Sequence, residues 1–167
     1  MSFEDQIAAA VRTSAGGVGD AVRWRGQCVD YYAQIEFLVG IALRELWRNG
    51  LKPPSQSLYT YRTKIAALRE AVAKGGFAPY ERLHRALDQL HADCDRRNLI
   101  VHASGTVGET PAGDWFWTGC YFQAEAPDMV AEVITRAEAG AMETGLKRTI
   151  QSLTSQLDRI RKRAVTE

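Results

Sequence analysis

A guanidinium, an amide and an imidazole occur within six residues of the chain, in the stretch RNLIVH from Arg97 through Asn98 to His102. An arginine binds two phosphate oxygens through parallel hydrogen bonds and stays charged at any relevant pH. A histidine titrates near neutrality and can accept or donate a proton. The three residue types therefore predict phosphodiester chemistry. On RNA the adjacent 2′-hydroxyl is the nucleophile, so cleavage through a cyclic phosphate needs no metal ion.

The same stretch resembles the signature of the HEPN superfamily, in which an arginine, usually followed by a polar residue, precedes a histidine by four to six intervening residues. Arg97, Asn98 and His102 fill these positions with four residues between. Arg96 fits with five between, but Arg97 would then occupy the polar position, which favours Arg97 as the signature arginine. The motif and the small-residue loop after it are similar to HEPN domains of bacterial toxins and abortive-infection proteins.

The resemblance implies a metal-independent endoribonuclease, acting as a toxin or phage-defence effector at a homodimer cleft. Arg97 would position the phosphate and His102 would act as acid or base, while Asn98 would orient the imidazole or the phosphate. Some HEPN members use an assisting acidic residue. Glu36, within the apolar stretch QIEFLVGIAL, is one candidate and Asp95 is a second. For Glu36, a carboxylate on a helix flank near the water boundary is the alternative interpretation.

The expected partners are an RNA substrate, a second copy of the chain, and an antitoxin or regulatory protein. No cofactor and no metal ion are expected. Ser104 stands where HEPN toxins silenced by adenylylation carry tyrosine, so that mode of regulation is not predicted. Two alternatives remain open: a catalytically inactive HEPN-like dimer that binds nucleotide or a partner protein, and a helical scaffold without chemistry.

The elements that must position the motif raise a geometric problem. At about 100° per residue, a regular helix places Arg97 about 140° round the axis from His102. That separation predicts that one regular helix cannot form the site alone. The long arginine side chain can swing across, the helix can loosen before His102, or a two-fold axis can bring both residues from two chains into one cleft.

A polar stripe accompanies the apolar face of the same predicted helix. Its members are His84, Asp88, His91, Asp95, Asn98 and His102. A solvated flank with weak Asp–His pairs is one interpretation. A metal site is the other interpretation. Because the stripe extends along the full length of the helix, at most two of these side chains can bind the same ion.

Further RNA contacts are predicted at Arg96 and in the basic tail RIRKRAVTE, which includes Arg161 and Arg163.

The aromatic segment DWFWTGCYF offers rings that can stack on bases. Such a strand more often covers a helical core, and we favour that interpretation. Cys94 falls on the apolar face and Cys120 among aromatics, and neither has an evident activating base.

The apolar periodicity predicts an all-α protein, a four- to five-helix bundle with a short β-hairpin inserted before the C-terminal helix. A single domain over residues 1–167 is expected. Helices are predicted over 1–12, 22–48 and 58–73, with a flexible break at 13–20. A fourth helix is predicted from Pro79 through the motif, followed by the hairpin at 104–123 around the turn ETPAGD and a last helix from about 126 to 163.

Bulk composition narrows the class of protein. The chain has 167 residues, with 46% hydrophobic and 25% charged, as in ordinary globular proteins. Its net charge of +1 means that any nucleic-acid contact must come from a local patch. Three scattered cysteines predict neither a disulfide framework nor a zinc ribbon. Neither a membrane span nor a signal peptide is predicted, so a cytoplasmic location is expected.

Overall fold

A computed structural model describes residues 15–50, 58–74, 81–122 and 129–164. Over these ranges the chain forms helices and one small sheet. The helices are α1 (Ala15–Arg48), α2 (Tyr61–Lys74), α3 (Glu81–Ala92), α4 (Cys94–His102) and α5 (Arg136–Ala164), and the strands are β1 (Ser104–Glu109), β2 (Trp115–Phe122) and β3 (Met129–Thr135). None of the described helices is both long and apolar enough to cross a membrane.

The chain divides into two compact units. One comprises Met1–Asp30 and Arg96–Gly145, and we call it the motif unit because it contains Arg97 and His102. The other comprises Tyr31–Asp95 and Leu146–Glu167, and we call it the helical unit.

Three tryptophans form the centre of the motif unit. Trp24 lies on the α1 face that also buries Ala21 and Cys28, at three- and four-residue spacing. Its ring centroid lies 5.7 Å from that of Trp115 and 6.1 Å from that of Trp117. Its indole N–H donates a 3.0 Å hydrogen bond to the carbonyl of Ala139, which satisfies the one polar group that this side chain buries.

The sheet of the motif unit has three antiparallel strands in the order β1-β2-β3. The turn predicted between the first two strands is confirmed: Gly113 adopts φ +85°, a conformation that favours glycine, and its N–H donates to the carbonyl of Thr110. The prediction of a two-stranded hairpin was wrong, because β3 pairs with β2, with Val133 opposite Thr118. The coarser expectation, a mostly helical chain with a small β insertion before the last helix, is confirmed.

In the helical unit, α2 and α3 pack with the C-terminal part of α1 through leucines, isoleucines and valines at helical spacing. Tyr32 and Tyr61 meet edge to face with ring centroids 6.1 Å apart. The buried aliphatic side chains are Ile35, Val39, Leu43, Leu46, Ile65, Leu68, Val72, Leu83, Leu87 and Leu90.

Three element boundaries differ from the sequence prediction. The break expected at 13–20 is not seen over residues 15–20, where α1 has already begun. Its glycines cost up to about 1 kcal/mol each in a helix interior, but the buried Ala21, Trp24 and Cys28 continue the helical pattern. The helix predicted from Pro79 is interrupted at Asp93, which separates α3 from α4. The helix predicted over 1–12 lies outside the described residues.

The last helix starts later than predicted, at Arg136 rather than near residue 126. The segment TRAE, Thr135 to Glu138, explains the start. The Thr135 N–H donates to the Glu138 carboxylate at 2.9 Å, and the Glu138 N–H donates back to the Thr135 hydroxyl at 3.3 Å. This reciprocal capping box satisfies backbone donors that a helix start leaves without intrahelical acceptors, so it fixes the boundary between β3 and α5.

Candidate functional site

The end of α4 brings the motif side chains into direct contact. Nη1 of Arg97 lies 3.1 Å from Nε2 of His102 and 3.2 Å from Oδ1 of Asn98. Arg97 and Asn98 are half-buried, whereas His102, the last residue of α4, is exposed. A guanidinium, an amide oxygen and an imidazole thus share one small surface site at a helix C-terminus.

A hydrogen bond at this contact requires one particular tautomer of a neutral imidazole. A guanidinium has only donors, so Nε2 of His102 must provide its lone pair to Arg97. The proton of the neutral ring then resides on Nδ1. The nitrogen that can accept a proton therefore points at the arginine that would bind a phosphate.

The expectation that a single helix holds Arg97 and His102 too far apart was wrong, but the first alternative given with it, a long arginine side chain that swings across, agrees with the structure. The two residues meet within a single chain although α4 is helical from Cys94 to His102. The reason is the length of the arginine side chain, whose flexible stem carries the guanidinium round the helix surface. A second chain is not needed to bring the two groups together.

Arg25, which the sequence did not single out, ties down the end of α4. Its Nε donates to the carbonyl of Ile100 at 2.8 Å and its Nη2 to the carbonyl of Ala103 at 2.7 Å. The last carbonyls of a helix have no intrahelical donors, and a cation near them is favourable. Arg25 therefore fixes the backbone on both sides of His102 and so determines where the imidazole lies.

The Trp117 ring packs against the guanidinium of Arg25. The guanidinium carbon of Arg25 lies 5.4 Å from the centroid of the Trp117 ring, within the range of a cation–π interaction. The indole lies flat across Gly105 of β1 and Gly119 of β2, which are register partners. A β-carbon at either glycine would overlap the indole. The two glycines are thus required by the close approach of the ring.

The remaining predicted site residues have other partners. Arg96 donates to Glu132 of β3 at 2.6 Å. In the helical unit, Glu36 accepts from Lys64 at 2.6 Å and Asp95 accepts from Arg62 at 2.7 Å. Each of these two carboxylates thus forms an ion pair with a basic residue of α2.

The other predicted groups are the basic tail and the polar stripe. Arg161 belongs to α5, but its side chain and that of Arg163 lie outside the described residues. Asp88 of the stripe forms an ion pair with Arg69. Across the described ranges, no three His, Cys, Asp or Glu side chains are grouped so that they can hold a metal ion.

The aromatic strand and the cysteines behave as packing residues. Trp115 and Trp117 are buried, which confirms the interpretation of this strand as a cover of the helical core. Burial raises the pKa of the Cys28 thiol to about 12, and the negative charge of Glu143 adds to the shift. A thiol that stays protonated at neutral pH is a poor nucleophile, so Cys28 has no catalytic role of this kind. Cys94 is buried as well.

Comparison with protein-family models, with curated proteins and with solved structures finds no match to this chain. The geometry at the end of α4 is therefore the feature that points to a function. No sequence signal marks Arg25, because its acceptors are backbone carbonyls 75 and 78 residues further along the chain.

Proposed function

We propose that this protein is a metal-independent endoribonuclease of the HEPN type, which cleaves RNA through a 2′,3′-cyclic phosphate and acts as a toxin or phage-defence effector. The observation that carries the proposal is the 3.1 Å contact between Arg97 and His102 at the exposed end of α4. A permanent cation that binds phosphate and a proton acceptor lie within one hydrogen bond of each other.

The chemistry begins when a phosphodiester oxygen replaces His102 as an acceptor for the Arg97 guanidinium. Nε2 of His102 is then free to take the proton of the adjacent 2′-hydroxyl. The 2′-oxygen attacks phosphorus, so the O2′–P bond forms and the P–O5′ bond breaks. The imidazolium returns its proton to the leaving 5′-oxygen, which leaves a cyclic phosphate and a 5′-hydroxyl and restores the neutral histidine.

Asn98 has a positioning part in this scheme. Its Oδ1 accepts from the same Nη1 that contacts His102, so it holds the guanidinium beside the imidazole. Arg25 positions the helix end through backbone carbonyls and does not contact the reacting atoms.

Incubation of purified protein with RNA in excess EDTA tests the proposal. We expect fragments that end in 2′,3′-cyclic phosphate, and the loss of cleavage by at least about 100-fold in His102→Ala, the size typical of a general base. Arg97→Ala should lose cleavage as well. Unchanged cleavage in both variants would mean that a contaminating nuclease produced the fragments and that the assignment is wrong.

Matched controls come from the helical unit. His84→Ala removes a half-buried histidine of α3, and Arg85→Ala removes an arginine whose side chain is 70% exposed. Both should cleave as the unaltered protein does, because neither residue belongs to the site. Thermal unfolding of each variant separates a loss of chemistry from a loss of fold.

The second candidate is a catalytically inactive HEPN-like dimer that binds nucleotide or a partner protein. The observation in its favour is the guanidinium itself, since Arg97 can bind a phosphate group whether or not His102 takes part in a reaction. This candidate predicts that the unaltered protein binds RNA or nucleotide without forming a cyclic phosphate. It also predicts that Arg97→Ala weakens this binding.

A further inference from the structure

An open groove of about 430 Å³ lies in the motif unit, beside the end of α4. One wall is a face of α1 with Val22, Gly26, Val29 and Asp30, and the other is β1 with Gly105 and Val107. Arg25 and Trp117 also line it. The volume falls within the range of about 300–1,000 Å³ that is usual for small-molecule pockets.

We propose that this groove binds one nucleobase, that of the nucleotide next to the cleaved phosphate, and that it prefers guanine. The position next to the cleaved phosphate rests on the proposed ribonuclease function. The binding of the base itself does not, because it needs only the groove.

Arg25 connects the groove to the site. Its Nη2 is bonded to the carbonyl of Ala103, the residue that directly follows His102. Gly105, on the opposite wall, is only three residues beyond His102, which an extended chain spans in about 10 Å. A nucleotide whose phosphate contacts Arg97 can therefore reach the groove with its own base.

The groove offers the Arg25 guanidinium as a stacking surface. The Nε and Nη2 donors are already bonded to backbone carbonyls, and one side of the guanidinium lies over the Trp117 ring. A guanidinium plane is a common stacking partner for unpaired RNA bases. The backbone bonds hold that plane in place before any base arrives, which lowers the entropic cost of binding.

The other residues of the groove favour a flat apolar ring, and one of them favours guanine over the other bases. Apolar surface for a flat ring comes from Val22, Val29 and Val107. Val22 is 62% exposed and therefore accessible to a ligand. Asp30 is the one carboxylate among the groove residues. Its two oxygens accept from two adjacent donors, and guanine alone among the four bases presents two, N1–H and the 2-amino group, on its Watson–Crick edge.

Titration of the full chain with nucleosides tests the groove without any phosphodiester. We would follow the amide NMR signals of Gly26 and Gly105 during additions of guanosine, inosine, adenosine and cytidine. Guanosine should bind most tightly. Inosine, which lacks the 2-amino group, should bind about tenfold more weakly, as expected for the loss of one hydrogen bond to a charged acceptor.

Two variants and two matched controls locate the binding. Gly26→Leu fills the groove, and a β-carbon at Gly26 meets no atom within 4 Å, so the helix tolerates it. Gly19→Leu is the control, because Gly19 is on the same helix, equally open and not part of the groove. Asp30→Asn should lower guanosine affinity about tenfold and remove the preference over inosine. Asp20→Asn, elsewhere on α1, should leave both unchanged.

Equal affinity for all four nucleosides, absence of saturable shifts, or unchanged binding in Gly26→Leu would overturn the base site. The ribonuclease proposal is judged separately. His102-dependent cleavage that ignores base identity and survives Gly26→Leu leaves the ribonuclease standing and refutes the position of the groove next to the cleaved phosphate. Guanosine binding in the groove with no cleavage supports the groove and refutes the ribonuclease.

Discussion

At the scale of single residues, the motif unit uses two arginines in different ways. Arg97 directs Nη1 to His102 and Asn98, and this contact is the basis for proposed phosphate binding. Arg25 directs its donors to the backbone at Ile100 and Ala103 and has a structural task. A positive charge alone would not distinguish them, but their hydrogen-bond partners do.

We expect Arg25→Met to lower the free energy of unfolding by about 2–3 kcal/mol, because two backbone carbonyls lose a charged donor. Urea unfolding measures the change. RNA cleavage should also fall, since the backbone around His102 is released.

Arg23→Met is the matched control for this prediction. Arg23 is on the same helix, its side chain is 72% exposed, and it faces Asp20 at 3.7 Å. Its replacement should change the stability by no more than about 0.5 kcal/mol. Equal effects of the two substitutions would show that Arg25 does not hold the end of α4.

At the scale of elements, the sheet supports the site through the space that two glycines leave for Trp117. We expect Gly119→Ala to destabilise the protein by about 1–3 kcal/mol, because the added methyl group overlaps the indole and displaces it from beneath Arg25. Gly140→Ala is the control, since it lies in α5 with nothing within 4 Å of a β-carbon. That change should stabilise by about 0.5–1 kcal/mol. Similar signs for the two variants in urea unfolding would contradict this account of the sheet.

The capping box of α5 gives a pH-dependent prediction. Hydrogen bonds from the backbone N–H and then the hydroxyl of Thr135 lower the pKa of the Glu138 carboxyl below its ordinary 4.5, and the charge of Arg96 lowers it further. Because the folded-state pKa is the lower one, the charged carboxylate stabilises the fold. This contribution is fully present above pH 4.5 and is lost as the pH falls through the folded-state value.

We therefore expect Glu138→Gln to lower the Tm at neutral pH and to have a smaller effect in acid. Thr135→Ala should lower the free energy of unfolding by about 1 kcal/mol, as is usual for the loss of an N-cap threonine. A double-mutant cycle over pH measures the coupling between the two residues, which should vanish in acid. Thr144→Ala, which removes a hydroxyl that donates to the carbonyl of Gly140 one turn back, serves as the control and should be nearly neutral. A coupling that persists at low pH would contradict the assignment.

At the scale of the whole molecule, the question is whether one chain contains a complete pair of Arg97 and His102. The contact within one chain predicts that it does. A mixture of Arg97→Ala and His102→Ala chains, unfolded together and refolded, should stay as inactive as either variant. If instead the site combined Arg97 of one chain with His102 of another, each mixed dimer would regain one intact site.

The measurement is RNA cleavage by the refolded mixture, with light scattering to record the oligomeric state. A refolded mixture of unaltered and His102→Ala chains is the control for recovery from refolding. Restored cleavage in the test mixture would refute a site within one chain, whatever the size of the assembly.

Features that depend on neighbours along the chain could be predicted from the sequence. The periodic apolar positions predicted α2 and most of α1, and the turn around Gly113 followed from local turn chemistry. Within the motif helix, Leu99 and Ile100 are buried and Val101 is half-buried, as expected for an apolar run in a packed helix. The start of α5 was missed, because the helix was expected from about residue 126, although TRAE carries a local capping signal.

The sequence by itself determined the helical class and the presence of a guanidinium, an amide and an imidazole within two turns of helix, because those follow from residue type and spacing. Only the tertiary structure decided that Arg97 reaches His102, since a flexible side chain has many rotamers and the sequence selects none. It also decided that β3 joins the sheet and that Arg25 caps α4. Backbone carbonyls are the same in every residue, so a bond to them over 75 residues has no signature in the sequence.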